Sequence, residues 1–327
     1  MTPALPPAGG RVVCVGETMA ALAPDPPAPL EHAGRLRLAV AGAESNVAMY
    51  LADHGIPAVW LSALGDDPLG RRVRAAVSAA GVDVSYVHTD PHRPTGLMLK
   101  DPGPDGTRVH YHRACSAASA LGPGLLDREP VTSARLLHFT GITPALSASC
   151  RALVTRALGT PAGARPYAIG FDVNHRAALW PEGTAAPLLR ELADRADIVF
   201  VGLDEAQDLW GADLTTEDVR TLLPGPRVLV VKDGARAATA LTRDGTHTVP
   251  ALRTTVVEPV GAGDAFAAGF LAGLLRGTTV TRALRLGHLT AVSALQVTGD
   301  HGPLPGAGER ERLLGLPEGE WAALATG

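Results

Sequence analysis

Residues 260–270 read VGAGDAFAAGF, and the fold turns on what they are. A glycine turn leads into an alanine-rich apolar stretch that carries no charge between Asp264 and Arg276. Glycines let backbone N–H groups crowd around an anion, and a helix N-terminus adds favourable potential there. An aspartate at the head of such a helix has two readings. It is a helix cap, accepting backbone N–H bonds at the positive end of the dipole, or it is a catalytic base beside a phosphate site. The stretch alone leaves both open.

Outward from this turn, short apolar runs alternate with longer runs of helical period. RVVCVG at 11–16 reads as a buried strand, SNVAMYLADHG at 45–55 as a helix ended by Gly55, and PAVWLSALG at 57–65 as a strand. PLGRRVRAAVSAAG at 68–81 reads as a helix closed by Gly81. RLLHFTG (135–141), YAIGFDVN (167–174), DIVFVG (197–202) and RVLVVKDG (227–234) read as further strands. The rhythm predicts βαβ units and a mainly parallel sheet covered on both faces. Two stretches break it: residues 31–42 and 94–113 are extended and alternating, the second with a PGPDG turn that suggests a hairpin. They predict either a small flap over the strand ends, able to exclude water from a site, or an ordinary surface hairpin.

The chain has 327 residues, 46% hydrophobic and 19% charged, enough apolar matter for a large core and too much for disorder. Its formal net charge of -4 offers no electrostatic case for nucleic acid or an anionic membrane as partner. No run approaches the roughly 20 apolar residues of a membrane span. The start, MTPALPPAGG, does not read as a signal peptide, and a cytoplasmic location is expected. Cys14, Cys115 and Cys150 are scattered and lack metal-ligand spacing, and Cys14 reads as a small buried hydrophobe. There is no GxxxxGK[ST], HExxH, CxxC or GxSxG. GAGDAF lacks the third glycine of a dinucleotide fingerprint and comes too late in the chain to open one.

VVEPVGAGDAFAAGF resembles the C-terminal signature of the ribokinase-like (PfkB) sugar kinases, D-T-x-G-A-G-D. GETMAAL, GAESNVA, PTGLMLK, VHYHRACSAASAL, LLHFTGITPALS and FDVNHRAALWP precede it in order, and together they resemble the branch of that family acting on the sugar acid 2-keto-3-deoxygluconate. The resemblance runs nearly end to end. It implies a ribokinase-like three-layer α/β/α fold with a mainly parallel central sheet, a single kinase domain over 1–327, and a small β-flap, or lid, from about 17–42 and 94–113. It implies ATP and Mg²⁺, allows a monovalent cation such as K⁺, and suggests a homo-oligomer formed through the lid.

By the same resemblance Asp264 is the base that activates the sugar hydroxyl, a task in which a positioned carboxylate contributes about a hundred- to ten-thousand-fold. The backbone of Gly261, Ala262, Gly263 and Asp264 forms the anion hole, and the apolar helix is a rod whose charged end faces the phosphate. Arg113 and Arg176 contact the sugar carboxylate, which suits the fixed fork of arginine, although a surface ion pair would explain either one equally well. Tyr111 stands beside Arg113, Gly42 and Asn46 match the sugar-binding GxxxN element, and Asp300 matches another sugar contact. On the nucleotide side the resemblance implies Asn174, Gly202, Glu205, Lys232 and Gly234, with Glu205 near the metal.

Departures bear on specificity. Ala21 stands where neutral-sugar kinases of the family place an aspartate. Met98 stands where a tyrosine is expected, and His112 and His175 replace tyrosines and would add charge beside the substrate. Two histidines in one pocket also raise metal binding, for which no third ligand is evident. Gly202 stands in place of an asparagine and Ala237 in place of a glycine. Glu258-Pro259 replaces Asp-Thr near a monovalent-cation site. The rival functions are another kinase of the family, for fructose, ribose, a nucleoside or the galactonate epimer, and a sugar-binding protein without phosphoryl transfer.

Overall fold

A computed structural model describes residues 10–103 and 106–326. In chain order its elements are β1 (Val12–Val15), β2 (Met19–Pro24), β3 (Leu36–Ala41), α1 (Ala43–Asp53), β4 (Ala58–Leu61), β5 (Ala63–Gly65), α2 (Pro68–Ala79), β6 (His88–Asp90), β7 (Leu97–Gly103) and β8 (Gly106–His112). There follow β9 (Leu136–Thr140), α3 (Thr143–Leu146), α4 (Ala148–Gly159), β10 (Ala168–Asp172), α5 (Ala185–Asp194), β11 (Ile198–Gly202), α6 (Leu203–Trp210) and α7 (Thr216–Leu222). The chain continues through β12 (Val228–Asp233), β13 (Ala237–Thr242), β14 (Gly245–Pro250), α8 (Ala262–Leu275) and α9 (Val280–Leu295).

The central sheet has the order β14-β13-β12-β11-β10-β9-β1-β4. Six neighbouring strands, from β12 to β4, run parallel, and β13 and β14 close one edge antiparallel. Side chains along a strand alternate between faces, and here both faces are buried. Val12 and Cys14 of β1 enter one core with α1, α8 and α9, while Val13 and Val15 enter the other with α4, α5 and α7. β12 divides the same way, Val228 and Val230 against Leu229 and Val231. Continuous apolar strands are the consequence, as three layers require. Helix α8 is buried at every residue from Asp264 to Leu275. Its Phe270 meets Phe200 of β11 edge-on, with ring centroids 5.6 Å apart.

A second sheet of four strands, β3-β2-β7-β8, forms the lid. β2 pairs antiparallel with β3 and parallel with β7, and β7 pairs antiparallel with β8 from Leu97↔His112 to Gly103↔Gly106. The flap expected from the sequence is therefore a sheet built from both segments. Its predicted turn includes Pro104 and Asp105, which lie outside the described residues. Met19, Ala21, Ala41 and Met98 make a small apolar core on its inner face.

Most sequence-derived elements stand where expected. PAVWLSALG is not one strand: it is broken at Ser62 into β4 and β5, and β5 leaves the central sheet to pair with β6. Helix α1 begins two residues earlier than the pattern suggested, at Ala43, because Ser45 bonds back to the carbonyl of Gly42 instead of capping the helix itself. Gly55 and Gly81 follow α1 and α2 with φ of +71° and +84°, the left-handed stop that glycine tolerates. The hairpin of β13 and β14 had no distinct signal, since its residues are short and mixed in polarity. Among the described residues no helix is long and apolar enough to cross a membrane.

Candidate active site

The strands β1, β10, β11 and β12 end on one side of the sheet. Open parallel sheets bind ligands there, because loops diverge and helix N-termini point in. A cavity of about 630 Å³ occupies the place, roofed by the lid and lined by Glu17, Asp172, Lys232 and Asp264 among others. These residues lie far apart in sequence and meet only because successive parallel strands deliver their C-terminal ends to the same edge.

The glycine turn enters this cavity as the head of α8. Gly261 is the N-cap with φ +87°. A Cβ there would lie 2.9 Å from the Asp300 Cβ and carbonyl oxygen, so only glycine allows the turn to close against Asp300. The first N–H groups of a helix have no intrahelical acceptor, which leaves those of Gly263 and Asp264 for an anion. A Cβ on Gly263 would come 3.4 Å from the Lys232 ammonium, so turn and ammonium border one small cradle. Lys232 Nζ also bonds Asp172 Oδ2 at 2.9 Å. Burial works against its charge, but Asp172 and Glu205 outweigh it and keep the ammonium protonated.

Asp264 faces the cavity and is held from two sides. Asn46 Nδ2 donates to its Oδ2 at 2.9 Å, and Asn174 Nδ2 to its Oδ1 at 3.3 Å. Asn174 does this from a left-handed backbone, φ +38°, a conformation asparagine accepts better than most residues. Burial pushes the Asp264 carboxyl up to about 7; the Asn46 bond and Arg176 pull it down, and Asp172 and Asp300 push it up. A base poised near neutrality can both hold and release a proton at working pH. Asn46 also reaches Asp300 Oδ2 at 3.4 Å.

Gly42 is the N-cap of α1, and a Cβ on it would stand 2.5 Å from Thr18 Oγ1; its glycine is needed for that close approach. Tyr111 and Met98 face each other across β7 and β8 and both line the cavity. Arg113, 5.5 Å over the Tyr111 ring, is committed differently from the sequence expectation. Its Nε and Nη2 each bond Glu17 Oε2 at 2.6 Å, with side chains only 8% and 1% exposed. Ser116 donates to the other Glu17 oxygen. Arg176 is exposed at the cavity wall, and the only hydrogen bond of its side chain among the described residues goes to the carbonyl of His175 at 3.2 Å. The two arginines are thus unlike: one is neutralised, and the other has no carboxylate partner among the described residues.

Glu205, the acidic residue assigned to the metal, spends both oxygens on backbone N–H groups, those of His175 and of Gly202 at 3.1 Å. It closes the first turn of α6 and ties it to the loop after β10. Burial, then Asp172, raises its pKa. Gly202 lines the cavity as the α6 N-cap. Gly234 turns the chain between β12 and β13 with φ +49°, outside the residues that line the cavity. His112 is a correction: it is exposed on the outer face of the lid, because alternation along β8 turns Val109 and Tyr111 inward and His112 outward. His175 alone of the pair borders the cavity. Among the described residues no group of three or more His, Cys, Asp or Glu could hold a metal by itself.

Four cavity or near-cavity residues escaped the sequence reading. Glu17, Glu44 and Asp172 are carboxylates within or just after apolar runs, a signal present in the sequence. Glu44 accepts from the hydroxyls of Thr140 and Thr143, each at 2.7 Å. Lys100 lies within the flap stretch 94–113 and is buried. Asp172 Oδ1 and Asn174 Oδ1 are buried oxygens with no partner. Two such acceptors beside the turn and the Lys232 ammonium fit a hard, oxygen-seeking cation of the Mg²⁺ type, which takes one or two carboxylates and completes its shell from other oxygens and water.

Comparison with known proteins bears on family and fold. A family model described as "pfkB family carbohydrate kinase" matches residues 10–307. A 2-dehydro-3-deoxygluconokinase of Thermoproteus tenax is 36% identical over 309 residues, covering 93% of this chain and 94% of the relative. A 2-dehydro-3-deoxygalactonokinase of Haloferax volcanii is 33% identical, covering 89% and 92%. The crystal structure of a PfkB protein from Polaromonas sp. JS666 superposes with a TM-score of 0.82 at 36% identity, over 94% of this chain and 100% of the other.

Proposed function

The chain belongs to the pfkB family of carbohydrate kinases, ATP-dependent enzymes with the ribokinase-like fold, and we propose that its acceptor is the 6-hydroxyl of 2-keto-3-deoxygluconate. The observation that carries this is Arg176, a guanidinium without a carboxylate partner among the described residues, in the cavity that holds Asp264. A neutral sugar gives such a cation nothing to do, whereas a sugar acid presents a carboxylate that its fork matches. Met19, Ala41 and Met98 line the cavity with apolar lid surface, and Ala21, in the same apolar cluster, offers no carboxylate for sugar hydroxyls. The named activity of the Thermoproteus tenax relative supports the same reading.

In this proposal Arg176 orients the carboxylate end of the substrate and the hydroxyl end meets Asp264. Asp264, ionised and aimed by Asn46 and Asn174, takes the hydroxyl proton as the oxygen attacks the γ-phosphorus of ATP, the bond from that phosphorus to the β–γ bridging oxygen breaks, and ADP leaves. The N–H groups of Gly263 and Asp264 and the Lys232 ammonium receive the charge on the transferring group. Such fixed donors supply most of the catalysis in phosphoryl transfer. Mg²⁺ would be held by Asp172 and Asn174, where it would neutralise phosphate charge. Glu205 serves by fixing the loop that carries Asn174. Arg113 holds Glu17 at the cavity wall and leaves Nη1 to meet the substrate.

The test is ADP release with Mg-ATP and a panel of 2-keto-3-deoxygluconate, its galactonate epimer, fructose, ribose and adenosine. Clear preference for 2-keto-3-deoxygluconate is the expected result. Preference for the epimer would move the assignment to the activity named for the Haloferax volcanii relative. Turnover of a neutral sugar alone would overturn the role of Arg176 and leave that of Asp264 intact.

A further inference from the structure

Lys100 has no place in the mechanism above, and its surroundings are unusual. It projects from lid strand β7, yet its side chain is only 8% exposed. Its ammonium lies 3.3 Å from Glu258 Oε2 and 3.6 Å from Asp300 Oδ1, side chains 16% and 6% exposed. Both carboxylates flank the phosphate turn. Glu258 Oε1 accepts from the N–H of Val260 at 3.4 Å, one residue before the αL glycine. Asp300 is the backbone wall against which Gly261 closes, and its Oδ2 shares the Asn46 amide with Asp264.

A buried ammonium shared by two carboxylates is costly to desolvate, and one use that offsets the cost is to fix a geometry that packing alone would not. Here one route runs from Lys100 through Glu258 to the turn, and a second through Asp300 and Asn46 to Asp264. We infer that Lys100 is a positioning residue for phosphoryl transfer: its ammonium is a built-in cation that joins the lid to the anion turn and holds Asp300 and Glu258 in place. Without it, the buried Asp300 and the half-buried Glu258 lose their shared counter-charge and the turn loses its outer support. The seat it vacates is lined by carboxylate oxygens and is the right charge for a small monovalent cation.

The inference rests on the phosphotransferase reading but not on which sugar is the acceptor. The test is Lys100→Met, which keeps the length of the side chain and removes the charge. With whichever acceptor the wild type uses, kcat is expected to fall by roughly tenfold to a hundredfold, the scale of a small misplacement of reacting groups, while the KM for ATP stays within about twofold. Ammonium chloride is expected to restore part of kcat relative to an equal ionic strength of tetramethylammonium chloride, and Lys100→Arg to retain more activity than Lys100→Met. Thermal unfolding of Lys100→Met is expected to shift upward in ammonium chloride and that of the wild type not to shift, a readout that does not need turnover. An unchanged kcat in Lys100→Met would overturn the inference, as would a loss of stability with neither kinetic nor thermal response to ammonium. Absence of turnover in the wild type over the whole panel would instead count against the phosphotransferase reading, with the thermal arm still deciding whether the seat takes a cation.

Discussion

Replacing Asp264 by asparagine separates catalysis from stability in a way the structure makes quantitative. The carboxylate accepts one amide on each oxygen, from Asn46 and Asn174. Asparagine at this position offers one acceptor and one donor. The donor need not be stranded, because Asn46 Oδ1 and Asn174 Oδ1 are both unpartnered, and rotating one amide by half a turn supplies an acceptor. The substitution also removes a buried charge that Asp172 and Asp300 oppose. The folded carboxyl titrates at about 7 against an ordinary value of 3.8, and a pKa difference of one between folded and unfolded chain is worth about 1.4 kcal/mol. The sign follows from proton counting. Between about pH 4 and pH 7 the folded state holds a proton that the unfolded state has lost. Asp264 therefore makes no demand on stability below about pH 4 and costs stability progressively up to about pH 7. The full cost above that is on the order of 4 kcal/mol, an upper bound for a site that relaxes.

Asp264→Asn is therefore expected to match the wild type in urea unfolding near pH 4 and to exceed it by a few kcal/mol at about pH 8. Turnover by ADP release should fall at least about a hundredfold, the lower range for general-base help. In the wild type, kcat/KM should rise with pH as Asp264 ionises and level off above about 7. A variant that keeps more than about a tenth of the wild-type rate would refute the base assignment. A variant less stable than the wild type at about pH 8 would refute the burial argument.

The two arginines should fail differently. Arg176→Ala is expected to raise the KM for the sugar acid by about tenfold to a hundredfold, the worth of one charge-assisted bond, with the urea midpoint unchanged. Arg113→Ala leaves Glu17 buried without its partner and should cost about 3–5 kcal/mol in urea unfolding besides any kinetic effect; identical behaviour of the two variants would contradict the environments assigned to them. Gly261→Ala places a Cβ 2.9 Å from Asp300 on a backbone of φ +87°, and kcat is expected to drop at least about tenfold through displacement of the turn, measured as a fall in kcat that exceeds any rise in the KM for ATP.

Much of this molecule is written in local pattern. Short β-branched apolar runs such as VVCV, closed by a glycine, read as strands buried on both faces, since each face of such a strand must find a hydrophobic layer. Their alternation with helices left a mainly parallel sheet as the expected arrangement. The glycine turn before an uncharged helix left a helix cap and an anion site equally open, and only the run of motifs preceding it favoured the anion site. What sequence could not supply was pairing. Arg113 and Arg176 looked equivalent as residues in motifs, and only the fold brought the end of β8 to the turn between β1 and β2 and set Glu17 against one of them. Glu205 read as a metal ligand, and the fold gave its oxygens to two backbone N–H groups. His112 fell outside the cavity through the alternation of a strand whose inward face was not readable until β7 and β8 were in register. Lys100 became a buried cation only when the lid closed on Glu258 and Asp300, more than 150 residues away. Burial, periodicity and turn chemistry are properties of neighbours along the chain and can be read there. Which charge meets which is a property of neighbours in space, and that was decided by the tertiary structure.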